Sequence, residues 1–295
     1  MSALAVLWFF LIFVLIAGYF VLDGFDLGVG VLYRALAKTD AERALVRRSI
    51  GPVWDGNEVW LLTAGGALFA AFPAAYATTF SGFYLAVMLV LFGLIVRAVS
   101  LEFGAHDPKW GRVWDACFTV GSFLPALLLG VALGNVIAGV PLAANGDYAG
   151  VPLLGLLSPF TLVVGALGFA MCMAAGAAWV ALKTERTSAV HGRAEKQRRV
   201  WQIGALVLFV VATVLAFTVV KPQFAPGMLG AGVIFAIAFV ACIAASIAQA
   251  KKGSDLAAFV LQSIAAVCLV ALAAVSLFPN LVVAVPGSVG ESITL

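Results

Sequence analysis

The chain has 295 residues, of which 64% are hydrophobic and only 11% are charged. Soluble domains carry about 25% charged residues, so this composition excludes a soluble enzyme and a disordered chain. The net charge of +3 is too small to indicate a nucleic-acid partner. The four cysteines form no CxxC pair, so neither a disulfide framework nor a zinc site of that kind is expected.

Long apolar stretches follow one another along the chain. A bilayer core of about 30 Å requires about 20 apolar residues per helix, and no stretch shows the short alternating segments of a β-barrel. The sequence therefore predicts an all-α, polytopic membrane protein with eight transmembrane helices. The predicted stretches are 4–32, 50–71, 77–101, 113–140, 152–182, 200–220, 227–249 and 256–284. A cleaved signal peptide begins with a positively charged region, but this chain has no Lys or Arg before Arg34. The first stretch is therefore expected to remain in the mature protein as a helix.

The basic residues indicate the orientation of these helices. Of the 17 Lys and Arg residues, 16 lie in or at the edge of the links after the first, third, fifth and seventh stretches, and only Lys221 lies in an alternate link. Basic links face the cytoplasm, so both termini are predicted outside. The polar link 143–148 divides the chain into two predicted four-helix units, residues 1–142 and 143–295.

Carboxylates inside two apolar stretches are the strongest functional signal. Asp23 and Asp26 lie three residues apart in the first stretch, as do Asp55 and Glu58 in the second, and this spacing puts each pair on one helix face. An intramembrane charge costs about 3 kcal/mol or more and therefore indicates function. Nearby candidates at the end of the third stretch are Arg97 and Glu102.

These residues predict an acidic cluster in the cytoplasmic third of the membrane. Carboxyl groups in a row can pass protons from one to the next, so proton conduction or ion binding is the favoured interpretation. The alternative is structural polar packing, in which Arg97 neutralises one acid and the others hydrogen-bond to helix ends. The sequence leaves both open.

Cofactor ligands are missing from the predicted helix interiors. Haem iron is commonly held by His, but His106 and His191 both fall in polar links, where solvent-facing side chains are expected. The sequence contains no GxGxxG, P-loop or HExxH motif. No cofactor, metal or catalytic residue is therefore assigned, and a redox role would require a partner that holds the metal.

Several ordered motifs resemble subunit II of the cytochrome bd-type quinol oxidases. The first is DGFDLGVG at residues 23–30, and the second runs from WDGNEVW at residues 54–60 to Pro73. The further matching segments are 80–84, 114–125 and 130–141. The chain departs from the family pattern at Glu58, where relatives carry Gln, and at Glu102, where they carry Asp.

The resemblance implies a pair of related membrane subunits, each with two four-helix bundles, in the bacterial inner membrane. Subunit I would hold haems b and d, oxidise quinol and reduce oxygen to water. This chain would bind no haem, stabilise subunit I and supply a cytoplasmic proton route. The implied route comprises Asp23, Asp26, Asp55, Glu58, Arg97 and Glu102. Some relatives hold a structural quinone in subunit II, but no position here identifies one.

Membrane lipid and small single-helix subunits are further partners that the resemblance leaves open. Two other functions also stay open. A secondary transporter could move a proton or another cation through the acidic cluster, although the acids lie in one half of the chain only. A structural scaffold would need the acids for assembly and not for turnover.

Overall fold

The protein is built almost entirely from helices in a computed structural model that describes residues 2–104 and 106–295. Seven of the described helices are long and apolar enough to cross a membrane, so the chain is an all-α, multi-pass membrane protein. The described helices are α1 (Ala3–Leu36), α2 (Asp40–Ile50), α3 (Trp54–Ala71), α4 (Pro73–Gly82), α5 (Tyr84–Phe103), α6 (Gly111–Ala138), α7 (Pro159–Lys183), α8 (Ala189–Leu215, continued by a π-helical turn over Ala216–Val220), α9 (Met228–Lys251) and α10 (Asp255–Leu277).

The predicted stretches 50–71 and 77–101 differ from the helices observed. The first gives α3, which has 18 residues and is not among the seven apolar spans. The second is wrong as a single helix, because it comprises most of α4 and α5, which meet at Phe83. Pro73 lacks the N–H that would continue α3 and instead occupies the first turn of α4, where that donor is not needed.

Other predicted helix boundaries are wrong for two reasons: some polar residues belong to a helix, and some apolar residues lie outside one. Most of the polar link 183–199 is helical, because α8 begins at Ala189 after the Ser188 cap. The stretch 152–182 becomes helical only at Pro159, where Ser158 caps α7. The stretch 256–284 is helical only to Leu277.

A small strand pair follows α10 and was not predicted. Strand β1 (Asn280–Val282) pairs antiparallel with β2 (Ile293–Thr294). Beside it, Val140 donates its N–H to the Val283 carbonyl at 2.8 Å. The C-terminal segment thus packs on the loop that follows α6.

The basic links meet at one end of the helices, where ion pairs join them. Arg47 of α2 lies 2.8 Å from Asp115 of α6, and Arg193 of α8 pairs with Glu42 of α2. Arg198 of α8 lies 3.1 Å from Asp255, the first residue of α10. The C-terminal end of α1 and the N-terminal ends of α6, α8 and α10 therefore lie on the same side of the protein.

Glycines allow α1 to lie directly against α7. A Cβ added at Gly28 would lie 1.9 Å from the Cys172 carbonyl oxygen, and one at Gly176 would lie 2.5 Å from the Gly28 carbonyl carbon. The two backbones are therefore in contact at this crossing. Small residues provide close approach in membrane helices, where packing has to stabilise association.

Glu42 provides a pH-dependent link between α2 and α8. Hydrogen bonds from Arg193 and from the backbone N–H groups of Lys38 and Thr39 hold the pKa of Glu42 below its usual range. Stabilisation by Glu42 is thus complete above the pKa of the unfolded chain and is lost as pH falls through the lower folded-state pKa.

The variant Glu42→Gln is accordingly expected to have a lower thermal midpoint than the wild type at pH 7. The difference should shrink as pH falls below about 4.3, the ordinary value for Glu. Melting curves in detergent between pH 7 and pH 3.5 measure it, with the exposed Glu185 replaced by Gln as the control. A difference independent of pH would contradict the assignment.

Candidate functional site: a buried acidic cluster

Four of the predicted site residues come together between α1, α3 and α5. Asp23, Asp26 and Arg97 are fully buried. Arg97 donates from Nη2 to Asp23 Oδ1 at 2.7 Å, and its Nη1 lies 3.4 Å from Glu58 Oε1. We call Asp23, Asp26, Glu58 and Arg97 the acidic cluster.

Local sequence explains how these side chains reach one place. Asp23 and Asp26 share a face of α1, and α2 returns the chain so that α3 packs antiparallel beside α1. Gly121 lets α6 approach the backbone of α5, since a Cβ at Gly121 would lie 2.7 Å from the backbone nitrogen of Arg97. The guanidinium therefore projects from a segment that is held in position by backbone contact.

Three carboxyl groups face one guanidinium in the acidic cluster. If all were ionised, the cluster would have a net charge of −2, and burial of such charge is costly without compensation. Exchangeable protons on the carboxyl oxygens can supply that compensation. The arrangement is chemically able to hold protons inside the protein.

Several buried polar atoms of the cluster have no hydrogen-bond partner among the residues that the structure describes. Buried polar atoms in proteins are almost always partnered, by ordered water where protein groups do not reach. This part of the fold is thus suited to binding water beside the carboxyl groups. The atoms are Tyr19 Oη, Asp23 Oδ2, Asp26 Oδ1 and Arg97 Nε, together with Glu58 Oε1 and Arg97 Nη1, whose 3.4 Å contact is an ion pair but not a hydrogen bond.

Asp55 and Glu102 are not part of the buried group. Asp55 is exposed one turn before Glu58 on α3, where its carboxylate accepts from the Gly56 N–H at 2.8 Å. Glu102 is exposed near the end of α5. Of these two predicted residues, Asp55 lies where it could connect Glu58 to the surface of the chain.

Two further residues belong to the site and were not among the predicted site residues. Asn57 donates to Asp26 Oδ2 at 2.8 Å and to the Leu22 carbonyl at 3.2 Å, so it fixes one carboxylate of α1 from α3. Its place between Asp55 and Glu58 could have indicated this role. Tyr19 lies four residues before Asp23, a spacing that puts both on one helix face.

Buried polar groups also occur outside the acidic cluster. Gln202 donates to Ser246 and Gln262 in the second half of the chain. Arg198 and Asp255 are buried there as well, although the sequence placed both in polar links. Burial of these groups depends on neighbouring helices, which a hydropathy pattern does not reveal.

The structure places the two histidines in different surroundings. His106 is exposed in the turn after α5, as predicted. The prediction for His191 is wrong: it is buried in α8, with Nδ1 3.0 Å from the Ala181 carbonyl oxygen and Nε2 facing two carboxylates. A polar link that continues as a helix packs one of its faces inward, which explains the burial.

Comparison with known proteins identifies the family. The family model described as cytochrome bd terminal oxidase subunit II matches residues 4–294. The chain belongs to this family. Its apolar helices and its bacterial relatives agree with a multi-pass protein of the bacterial inner membrane.

Individual relatives of this subunit II chain are described as subunit 2 of a cytochrome oxidase. The cytochrome bd-I ubiquinol oxidase subunit 2 of Escherichia coli K12 is 41% identical over 72% of this chain and 57% of the relative. The probable cytochrome oxidase subunit 2 of Haemophilus influenzae is 43% identical over the same shares. The matched region thus spans little more than half of these two relatives. The cytochrome bd ubiquinol oxidase subunit 2 of Bacillus subtilis is 33% identical over 96% of this chain and 83% of the relative.

A solved structure shares the fold. A chain of the bd oxidase from Geobacillus thermodenitrificans superposes with a TM-score of 0.80 at 13% identity, covering 100% of this chain and 90% of that chain. At this identity the likeness concerns the fold alone.

Proposed function

We propose that this chain is the haem-free subunit of a bd-type quinol:oxygen oxidoreductase. In this proposal it stabilises a haem-bearing subunit I and gives protons a route from the cytoplasm for the reduction of oxygen to water. Family membership supports the oxidase assignment. The observation that supports the proton route is the buried acidic cluster on α1, α3 and α5.

The proposed route begins at the exposed carboxylate of Asp55. A proton taken from water there would pass to Glu58 and then to Asp26 and Asp23, through ordered water between carboxyl oxygens. Arg97 stays charged at every accessible pH, so it positions the carboxylates and does not exchange protons. Asn57 holds Asp26 in reach of α3. In subunit I, haems would supply the electron transfer and oxygen chemistry.

We further propose that the chain crosses the membrane eight times, as two bundles divided near residue 142. The ion pairs put the end of α1 and the start of α6 on one side. Between them α5 crosses once, so a second crossing is needed, and α3 is the helix available for it. At about 1.5 Å per residue, 18 residues span about 27 Å, close to the bilayer core.

Purification of the tagged chain from native membranes tests the oxidase assignment. We expect a larger membrane partner in the eluate and haem bands in its reduced-minus-oxidised visible spectrum. The chain produced alone should show neither. A colourless eluate without a partner would overturn the assignment and favour ion transport.

The proton route predicts a loss of turnover in Asp26→Asn. The amide fills the same space but cannot take up a proton, so quinol-driven oxygen consumption of the assembled complex should fall about 100-fold, the scale of a lost proton-transfer step. Oxygen-electrode rates normalised to haem content measure it. The matched control is Asp40→Asn, because the Asp40 side chain is 97% exposed. Full turnover in both Asp26→Asn and Asp55→Asn would exclude the route.

A further inference from the structure

A second group of ionisable side chains lies at the ends of α8 and α10, where no functional residue was predicted. His191 and Glu195 are one turn apart on α8, and Asp255 begins α10. His191 Nε2 lies 3.9 Å from Glu195 Oε1 and 3.9 Å from Asp255 Oδ2. One ligand atom from each residue lies within 4.8 Å of the other two.

The orientation of His191 points to a cation. Its side chain is 5% exposed, and Nδ1 faces the Ala181 carbonyl oxygen at 3.0 Å, so Nδ1 must be the donor of that hydrogen bond. In the neutral ring, Nε2 then presents a lone pair towards two carboxylate oxygens. Each of these oxygens also faces an arginine nitrogen on another side. A backbone carbonyl on one ring nitrogen is also what orients the other nitrogen towards a metal in metalloproteins.

We propose that His191, Glu195 and Asp255 bind one divalent transition-metal ion, with Zn²⁺ as the best fit. Zinc accepts imidazole and carboxylate ligands at about 2.0–2.2 Å, so neighbouring ligand atoms on a tetrahedral ion lie about 3.4 Å apart. The two separations of 3.9 Å from His191 Nε2 must each shorten by about 0.5 Å. The separation between the two carboxylate oxygens, which is at most 4.8 Å, must shorten by up to about 1.4 Å. Glu195, which is 45% exposed, can supply that movement, and water can reach the fourth position.

Two arginines set the charge balance at this site. Arg198 contacts Asp255 through Oδ1 at 3.1 Å, which leaves Oδ2 for the ion. Arg198 also donates to Glu195 Oε1 at 3.4 Å, so a bound ion would share the Glu195 carboxylate with this guanidinium. Arg186 Nε lies 3.5 Å from Asp255 Oδ2 and competes for that oxygen, but its side chain is 60% exposed and can turn into water. With Arg186 displaced, two carboxylates face the two charges of the ion and the one charge of Arg198, so the occupied site has a net charge of +1. The bound ion would join α8 to α10.

Zinc titration of the purified complex tests the proposal, using an affinity tag without histidine. After chelator treatment and dialysis, we expect one tightly bound zinc per copy of this chain, measured by elemental analysis and by competition with a chromophoric chelator. Co²⁺ in place of zinc should give the X-ray absorption edge of a tetrahedral site, a signal that haem absorption does not hide. These readouts do not depend on oxygen consumption, so they separate this proposal from the proposed oxidase function.

Variants locate the ion. His191→Asn should weaken zinc binding by at least about 10-fold, whereas His106→Asn, at the other histidine of the chain, should leave it unchanged. Glu195→Gln should weaken binding similarly and avoids the risk that a buried substitution prevents folding. Arg186→Gln removes the competing cation and should tighten binding. Absence of a stoichiometric zinc in the wild type, or unchanged affinity in both His191→Asn and Glu195→Gln, would overturn the proposal.

Discussion

Replacing Arg97 by methionine is expected to destabilise the folded chain by about 3–5 kcal/mol, the usual cost of removing one partner of a buried ion pair. The guanidinium is fully buried and bonds to Asp23 at 2.7 Å. Methionine keeps an unbranched side chain that fills much of the space nearest the backbone but carries no charge, so the main change is that Asp23 and its neighbours lose their countercharge. Unfolding in mixed micelles of increasing denaturing-detergent fraction measures the difference in free energy of unfolding.

Two further variants separate this effect from a general loss of positive charge. Arg112→Met removes an exposed arginine near the start of α6 and should change stability by less than about 0.5 kcal/mol. The double variant Arg97→Met with Asp23→Asn should recover about 1 kcal/mol or more, because coupled residues give non-additive effects of that size. Additive losses in the double variant would show that the pair contributes little.

The second large effect is expected at the crossing of α1 and α7. Gly28→Ala should destabilise the chain by about 3 kcal/mol or more, because overpacking in a tight interior costs at least 1–3 kcal/mol. Here the new methyl group would lie 1.9 Å from the Cys172 carbonyl oxygen, and neither backbone can turn aside as a side chain could. The same unfolding measurement and the yield of assembled complex test it.

Gly66→Ala is the matched control for that variant. Gly66 lies in α3 with no atom within 4 Å of an added Cβ. Alanine favours a helix over glycine by about 1 kcal/mol, so this change should be neutral or stabilising. If the two glycine variants have equal stability, the close crossing does not contribute as proposed.

Much of the fold could be predicted from the positions of charged residues in the sequence. The distribution of Lys and Arg predicted which links lie together, and the pairs Arg47–Asp115 and Arg193–Glu42 join those links directly. The three-residue spacing of Asp23 and Asp26 correctly put both carboxylates on one face, since both are buried. Short-range periodicity and charge are properties of the sequence itself.

Features that depend on distant parts of the chain could not be predicted in this way. Hydropathy alone did not separate α4 from α5 at Phe83 or reveal the pairing of Val140 with the C-terminal segment. Asp55 and Asp26 have the same chemistry, yet one is exposed and the other is buried. Which of the two acids is buried depends on how three helices pack together. The hydropathy pattern of a single segment carries no information about that packing.

The short helix α3 has a consequence for how the protein is made. It has 18 residues and carries Asp55 and Glu58 near its start. A carboxylate opposes transfer into lipid by up to about 2.5–3.5 kcal/mol, the value at a helix centre. Its counterion Arg97 lies on α5 and is synthesised 39 residues after Glu58. In the proposed arrangement of eight crossings, α3 should therefore remain at the translocation machinery during biosynthesis until α5 has been made. The two helices should then enter the bilayer together, as a hairpin in which the opposite charges pair before lipid surrounds them.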